Sequence, residues 1–288
     1  MKRGVGEPTG GSRETGTLTQ FYDSVYSASG KRHFTKYRHG GTLAEDHFEA
    51  LRWLRGYEGP RDCLLDFGCG QGDFLRECSS FQRRIGIDSS SVALKAAHAT
   101  ARGAVDLRQG DESLLVEFSG EVDVVTSFGT LEHTVDPAAC LRSLLDCLKP
   151  AGTLILSCPS FLNVRGVIWM TLALLQDVPM SLADRHFISP ADIELGASPY
   201  RVSMTSVDHD VGQGTYFGQD MRRRLTNAMR DAGLKADGVG RLIDWVEVNR
   251  ERFASGPLSG ATMVYMIERA DVGQQDGEAP QSRAGSLR

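Results

Sequence analysis

Between residues 62 and 159, short apolar runs alternate with segments whose apolar residues recur every three to four positions. CLLDFG (63–68) precedes DFLRECSSF (73–81), RIGID (84–88) precedes SSVALKAAHATA (90–101), and AVDLRQ follows at 104–109. VDVVTSF (122–128) precedes DPAACLRSLLDCLKP (136–150), and GTLILSCP (152–159) closes the series. Runs of the first kind fit buried strands and those of the second amphipathic helices; their alternation builds βαβ units, hence an α/β protein with a mostly parallel sheet covered on both faces. The segment 136–150 carries the fullest helix signature. Asp136 suits the N-cap, Pro137 the first helical position, Leu141, Leu144, Leu145 and Leu148 share one face, and Pro150 stops the run.

Further on, QDMRRRLTNAMRDAG places Met221, Leu225, Ala228, Met229 and Ala232 on one helical face and ends at Gly233, a natural C′ residue. Two last strands are expected near 235–242 and 262–269. Residues 160–218 are too long for an ordinary connection and are expected to form a substrate-facing lid inserted after the fifth strand. Both ends, 1–18 and 271–288, are rich in Gly, Ser, Gln and charge, too poor in apolar residues to offset the entropy of ordering, and are read as disordered tails. The chain therefore divides into a tail (1–18), an N-terminal helical cap (19–61), an α/β core (62–159), the lid (160–218), the C-terminal part of the core (219–270) and a second tail (271–288).

Composition narrows the partners. A formal net charge of −5 over 288 residues argues against a broad nucleic-acid footprint and favours a small-molecule substrate. The aromatic and basic stretch FYDSVYSASGKRHFTKYRHGG (21–41) is one short patch and does not reverse this. The six cysteines, Cys63, Cys69, Cys78, Cys140, Cys147 and Cys158, form no CxxC pair and lie mostly in apolar patterns, so reduced thiols and a cytoplasmic setting are expected. No run approaches the roughly 20 apolar residues of a membrane helix, and the first 20 residues lack the apolar stretch of a signal peptide. No membrane partner is expected.

The chemistry concentrates at LLDFGCGQGDF (64–74), where Gly68, Gly70 and Gly72 follow an apolar run and precede a helical pattern. Glycines clustered at a strand end mark a tight turn that lets a ligand approach the backbone. The dinucleotide fingerprint G-x-G-x-x-G, begun at Gly68, needs glycine at position 73 and finds Asp73, which disfavours a nicotinamide-dependent dehydrogenase. Asp88, ending the next strand pattern 20 residues after Gly68, suits the ribose hydroxyls of any adenosine cofactor.

LLDFGCGQGDFL, GIDSSSVALKAA, DVVTSFGTLEHTVDP and LRSLLDCLKPAGTLILSCPS, in this order and spacing, resemble the class I S-adenosylmethionine-dependent methyltransferase family, in particular its ubiquinone-biosynthesis-type and small-molecule tailoring branch. The resemblance is close over 62–159 and looser over 219–269; AGTL stands where GGxL is commoner. It implies a Rossmann-like seven-stranded sheet with the last strand antiparallel, and S-adenosyl-L-methionine held at the carboxyl ends of the first four strands. It implies further that Asp66, Gly68, Cys69 and Gly70 line the methionine part, that Asp88 and Ser89 hold the ribose and its neighbourhood, and that Asp111 bonds the adenine amino group. Phe128 and Gly129 would pass close to the methionine moiety. In the N-terminal segment, which folds over the donor in related enzymes, Tyr22 and Tyr26 would close the site and Arg38 would meet the donor carboxylate. Each has a plainer alternative: turn glycines, a helix N-cap at Asp111, a space-filling thiol at Cys69, and helix packing or exposure at Tyr22, Tyr26 and Arg38.

Methyl transfer from a sulfonium is an in-line displacement that asks mainly for alignment and exclusion of water. A phenol or alcohol acceptor would still benefit from a base, for which neutral histidine is suited. His133, His186 and His209 are the candidate bases; the resemblance offers His133 a structural job instead, packing near the donor, while His186 and His209 each have an acidic residue close in sequence that either orients the imidazole or is merely a surface neighbour. Oxygen is the first expectation for the acceptor atom, with nitrogen or carbon as alternatives; a donor-binding protein that transfers nothing is the alternative of another class. No metal is assigned. The apolar run from Val167 to Leu175 is expected to form a helix packed in the lid or against a second subunit in a homodimer, or else an apolar wall for the acceptor with Trp169 and Met170 in contact.

Overall fold

The computed structural model describes residues 20, 23, 43–176, 186–212, 214, 217–253 and 256–269. Tyr22, Tyr26, Arg38 and both terminal tails lie outside the described residues.

Seven strands form one sheet: β1 (Cys63–Phe67), β2 (Arg83–Asp88), β3 (Val105–Gln109), β4 (Val122–Phe128), β5 (Leu148–Pro159), β6 (Arg201–Val207) and β7 (Thr262–Glu268). Their spatial order is β3-β2-β1-β4-β5-β7-β6. The first five strands are parallel, and β7 runs antiparallel to both β5 and β6. The expected sheet with an antiparallel last strand is therefore present. The chain leaves β1 for β2 on one side and later returns to place β4 on the other, so the crevice above the carboxyl ends of β1 and β4 is the switch point where open α/β sheets bind ligands.

The pleat sends alternate residues to opposite faces, and both faces are covered. Leu65, Ile85, Val125, Leu154 and Leu156 share one core with Leu141 and Leu144 of helix Pro137–Asp146 and Ile193 of helix Pro190–Ala197. Leu64, Val124, Ile155 and Val264 share the other with Ala50 and Leu54 of helix Glu45–Arg55, Phe74 and Leu75 of helix Asp73–Glu77, and Leu94 of helix Ser91–Thr100. Each large side chain buried in this way contributes about 1.5–3 kcal/mol. At the end of the sheet away from the crevice, buried Asp123 accepts the N–H groups of Asp62 (3.0 Å) and Cys63 (2.8 Å) and pairs with Lys149 at 2.8 Å, fixing the start of β1.

A third core stands apart from the sheet. Trp169 of helix Val164–Gln176, Phe217, Met221 and Leu225 of helix Phe217–Asp231, and Val239, Ile243 and Val246 of helix Val239–Val248 pack together. These helices leave from the carboxyl ends of β5 and β6 and return to the start of β7, so they form a cap attached to the ligand edge of the sheet.

Three sequence expectations change here. The sixth strand is Arg201–Val207, inside the stretch read as a lid, while 235–242 is a turn leading into a helix. Val239, Ile243 and Val246 at helical spacing find apolar partners in the cap, and Val202, Met204 and Ser206 alternate correctly for a strand beside β7. Consequently the stretch 160–218 carries sheet as well as cap, and the helices of 219–270 belong to the cap. Helix Pro137–Asp146 is capped by Asp136, which accepts the Ala139 N–H at 2.9 Å, but it ends before Leu148, which opens β5. Gly233 does terminate its helix, with φ of 72° and the Leu234 N–H donating to the Met229 carbonyl at 2.8 Å.

Candidate active site

The glycine loop is held from several directions. Gly68, Gly70 and Gly72 all have positive φ, at 77°, 53° and 71°, a conformation in which a Cβ is costly. Gly68 and Cys69 donate their N–H groups to the Ile87 carbonyl at 2.8 and 3.0 Å, pinning the loop to the end of β2. A Cβ on Gly68 would lie 2.1 Å from Thr130 Oγ1, and one on Gly72 would lie 3.3 Å from the Ala97 methyl. The loop therefore fits between the turn after β4 and helix Ser91–Thr100, with no room for a side chain at Gly68 and a tight contact at Gly72.

Asp88 clasps this loop. Its Oδ2 accepts the Gly70 N–H and its Oδ1 the Ser90 N–H, both at 2.8 Å. Burial raises its pKa against the lowering effect of these two bonds. A carboxylate oxygen has two lone-pair directions, so each retains capacity for a hydroxyl donor. Ser89 stands beside it, and its carbonyl accepts from Gln109 Nε2 at 3.3 Å, at the end of β3. Asp23, which sequence reasoning did not single out, accepts the Ser90 hydroxyl at 2.5 Å and so brings a residue of the N-terminal segment to this corner.

Asp66 is the penultimate residue of β1. It is buried, accepts the Thr126 hydroxyl at 2.8 Å, and its pKa is pushed up to about 7 by burial, with the neighbouring carboxylates Asp88 and Asp46 adding to the rise. A cation entering the crevice would relieve that repulsion. Cys69 is buried, and burial raises its thiol well above the usual range, so it is a space-filling residue against Gly86 rather than a nucleophile. Asp111 is exposed and caps the turn Glu112–Phe118, its Oδ1 accepting the Ser113 N–H (3.0 Å) and hydroxyl (2.6 Å); these bonds hold its pKa below the usual value. The N-cap reading is thus the geometry present.

At the end of β4, Phe128 contacts Phe74 and His47, with ring centroids 4.7 and 4.6 Å away. Gly129 follows with φ of 54° and donates its N–H to both the carbonyl (3.0 Å) and the hydroxyl oxygen (3.2 Å) of Ser157. His133 lies in the next turn, Nε2 3.8 Å from Glu132 Oε1. His186 reaches the same region: its Nε2–H donates to the Thr134 carbonyl at 3.0 Å, which leaves Nδ1 as the accepting nitrogen. His209 does not join them. It follows β6, three places from β4 in the sheet order, and bonds the Ser206 carbonyl at 3.2 Å. Trp169 is buried in the cap core, so the packing alternative describes it rather than an open acceptor wall; Met170, next to it, is half-buried. Asp46, His47 and Thr130, like Asp23, are contributors that sequence reasoning missed.

A family model described as a methyltransferase domain matches residues 37–239. The chain belongs to the class I S-adenosylmethionine-dependent methyltransferase family. Among curated relatives of this methyltransferase, a ubiquinone biosynthesis O-methyltransferase of Pseudomonas aeruginosa (strain UCBPP-PA14) is 35% identical over 143 residues, covering 46% of this chain and 60% of the relative. The chain thus spans less than two thirds of that relative's length. An uncharacterized 37.1 kDa protein in transposon TN4556 of Streptomyces fradiae is 26% identical over 230 residues, covering 72% of this chain and 62% of that one. A solved S-adenosylmethionine-dependent methyltransferase of Archaeoglobus fulgidus shares the fold at a TM-score of 0.51 and 14% identity, over 78% of this chain and 95% of that one.

The crevice of this chain suits the family's donor. The loop carries three positive φ values, Asp88 holds it through the Gly70 N–H, and buried Asp66 lies close enough to the carboxylates of Asp88 and Asp46 for a cation to be favoured there.

Proposed function

We propose that this methyltransferase moves the methyl group of S-adenosyl-L-methionine to an oxygen of a small-molecule acceptor in a biosynthetic or tailoring pathway. The observation that carries the reading is the loop Gly68–Gly72, with its three positive φ values, clasped by Asp88. The choice of oxygen draws on the O-methyltransferase of Pseudomonas aeruginosa to which 143 residues are 35% identical.

In this reading Asp88 and Ser89 hold the ribose, Asp111 meets the adenine amino group, and Asp66, Gly68, Cys69 and Gly70 line the methionine end with Phe128 and Gly129. The bound donor supplies an electrophilic methyl carbon beside a departing sulfur. The chain's task is to align the acceptor oxygen opposite that sulfur and to keep water out, and the cap at the carboxyl edge supports this reading. His186 takes the acceptor's hydroxyl proton on Nδ1, with Nε2–H held by the Thr134 carbonyl, and His133 and Met170 border the acceptor. Among the described residues no helix is long and apolar enough to cross a membrane.

The test is incubation with S-adenosylmethionine labelled in its methyl group and a panel of phenols, alcohols and amines, followed by mass spectrometry. Label on oxygen is expected. Label on nitrogen or carbon alone would overturn the choice of atom, and failure of the donor to bind would overturn the whole reading.

A further inference from the structure

Helix Glu45–Arg55 begins against the end of β4, and its first residues grip the Phe128–Gly129 dipeptide by two separate contacts. Asp46 Oδ2 accepts the hydroxyl of Ser157 at 2.6 Å, and the same Ser157 oxygen accepts the Gly129 N–H at 3.2 Å. Ser157 is fully buried, so its hydroxyl has little choice of partner. Next along the helix, the His47 ring stands edge-on to Phe128 at 4.6 Å and packs against Phe74 at 5.5 Å. The His47 N–H donates to Asp46 Oδ1 at 2.9 Å, and the His47 ring accepts the Ala44 N–H through Nδ1 at 3.5 Å, so the two side chains are fixed relative to one another.

We propose that Asp46 and His47 are positioning residues for donor binding: through Ser157 and through the Phe128 ring, they set the turn that faces the methionine end of S-adenosylmethionine. This rests on the donor reading above and adds to it Asp46, 111 positions away in sequence from the serine it acts through, and His47, which acts through the Phe128 ring. Gly129 at φ of 54° is a backbone shape few residues adopt, and a turn of that kind stays in place only when its surroundings determine it. Asp46 supplies one such determinant. Neither residue is assigned contact with the reacting atoms.

The experiment compares two probes on the full chain by calorimetric titration: S-adenosylmethionine, which has the methionine end, and adenosine, which lacks it. Asp46→Ala is expected to weaken S-adenosylmethionine by roughly ten-fold, the scale of one lost charge-assisted hydrogen bond, with adenosine affinity unchanged. Asp46→Asn, whose amide oxygen still accepts from Ser157, should recover most of the loss. In a Ser157→Ala background, Asp46→Ala should add nothing further, because the link is already cut. His47→Ala should also weaken S-adenosylmethionine and spare adenosine. Equal weakening of both probes would mean general loosening and would overturn the proposal, as would unchanged binding of both or full additivity with Ser157→Ala. If the unaltered chain binds neither probe, the donor reading itself fails, an outcome distinguishable because it precedes any substitution.

Discussion

The Asp88 carboxylate accepts the Gly70 N–H across 18 residues of sequence at 2.8 Å, so the acid that ends β2 also sets the shape of the loop that ends β1. A substitution at Asp88 therefore acts on the loop as well as on the proposed ribose contact. Asp88→Ala is expected to weaken S-adenosylmethionine binding by about 1–3 kcal/mol, the range for hydrogen bonds to a charged group. Asp88→Asn, which keeps an accepting oxygen, should lose less. Isothermal titration of the three proteins checks the order; equal affinities would remove the ribose assignment.

Burial of Asp66 ties the stability of the fold to pH. In the unfolded chain an aspartate ionises near pH 4, whereas in the folded chain burial moves Asp66 to about 7. Between those values the folded state holds a proton that the unfolded state has released. The contribution of this group to stability is thus fully present below about pH 4 and falls as pH rises through about 7. Asp66→Asn should flatten that decline, measured by urea unfolding of the unliganded protein from pH 5 to 8.

The same group links donor affinity to pH in the opposite sense. A cationic ligand favours the ionised carboxylate, so affinity for S-adenosylmethionine should rise from about pH 6 to 8 and binding near neutrality should release a proton. Titrations in buffers of different ionisation enthalpy would detect the release. Affinity independent of pH would show that Asp66 does not sense the donor's charge.

His186 is held by the Thr134 carbonyl with Nδ1 left to accept, the arrangement a base for a hydroxyl acceptor requires. His186→Ala is expected to lower turnover by roughly 10²–10⁴-fold, the usual span for general acid–base catalysis, while donor affinity stays unchanged. A normal rate would assign the side chain to linking the segment before helix Pro190–Ala197 to the turn after β4.

The cap has its own core, and its largest fully buried side chain is Trp169. Trp169→Ala should cost about 3–5 kcal/mol of stability, as large-to-small changes in packed cores do. Because the cap core is separate from both sheet cores, S-adenosylmethionine binding should survive at low temperature while acceptor methylation is lost. Thermal unfolding followed by near-ultraviolet circular dichroism, paired with donor titration, would separate the two effects.

Much of this was legible along the chain. The strand and helix alternation of 62–159 and the cap at Asp136 are local, and Gly68, Gly70, Gly72 and Asp88 advertise themselves by residue type and spacing. What escaped was set by tertiary contacts. RVSMTSV (201–207) alternates as a strand should, but its place beside β7 depends on residues over 50 positions away. The helix at Val239–Val248 was obscured because its apolar face serves a cap rather than the sheet. Asp46 and His47 carry no motif; only folding brings them to Ser157 and Phe128.

The most direct measurement is a crystal structure of the chain with S-adenosylhomocysteine. The ribose hydroxyls are expected on Asp88, with the amino-acid end lying between the Gly68–Gly70 loop and Phe128–Gly129. Density for the ligand elsewhere, or a crevice left empty at saturating ligand, would contradict the assignment of this site.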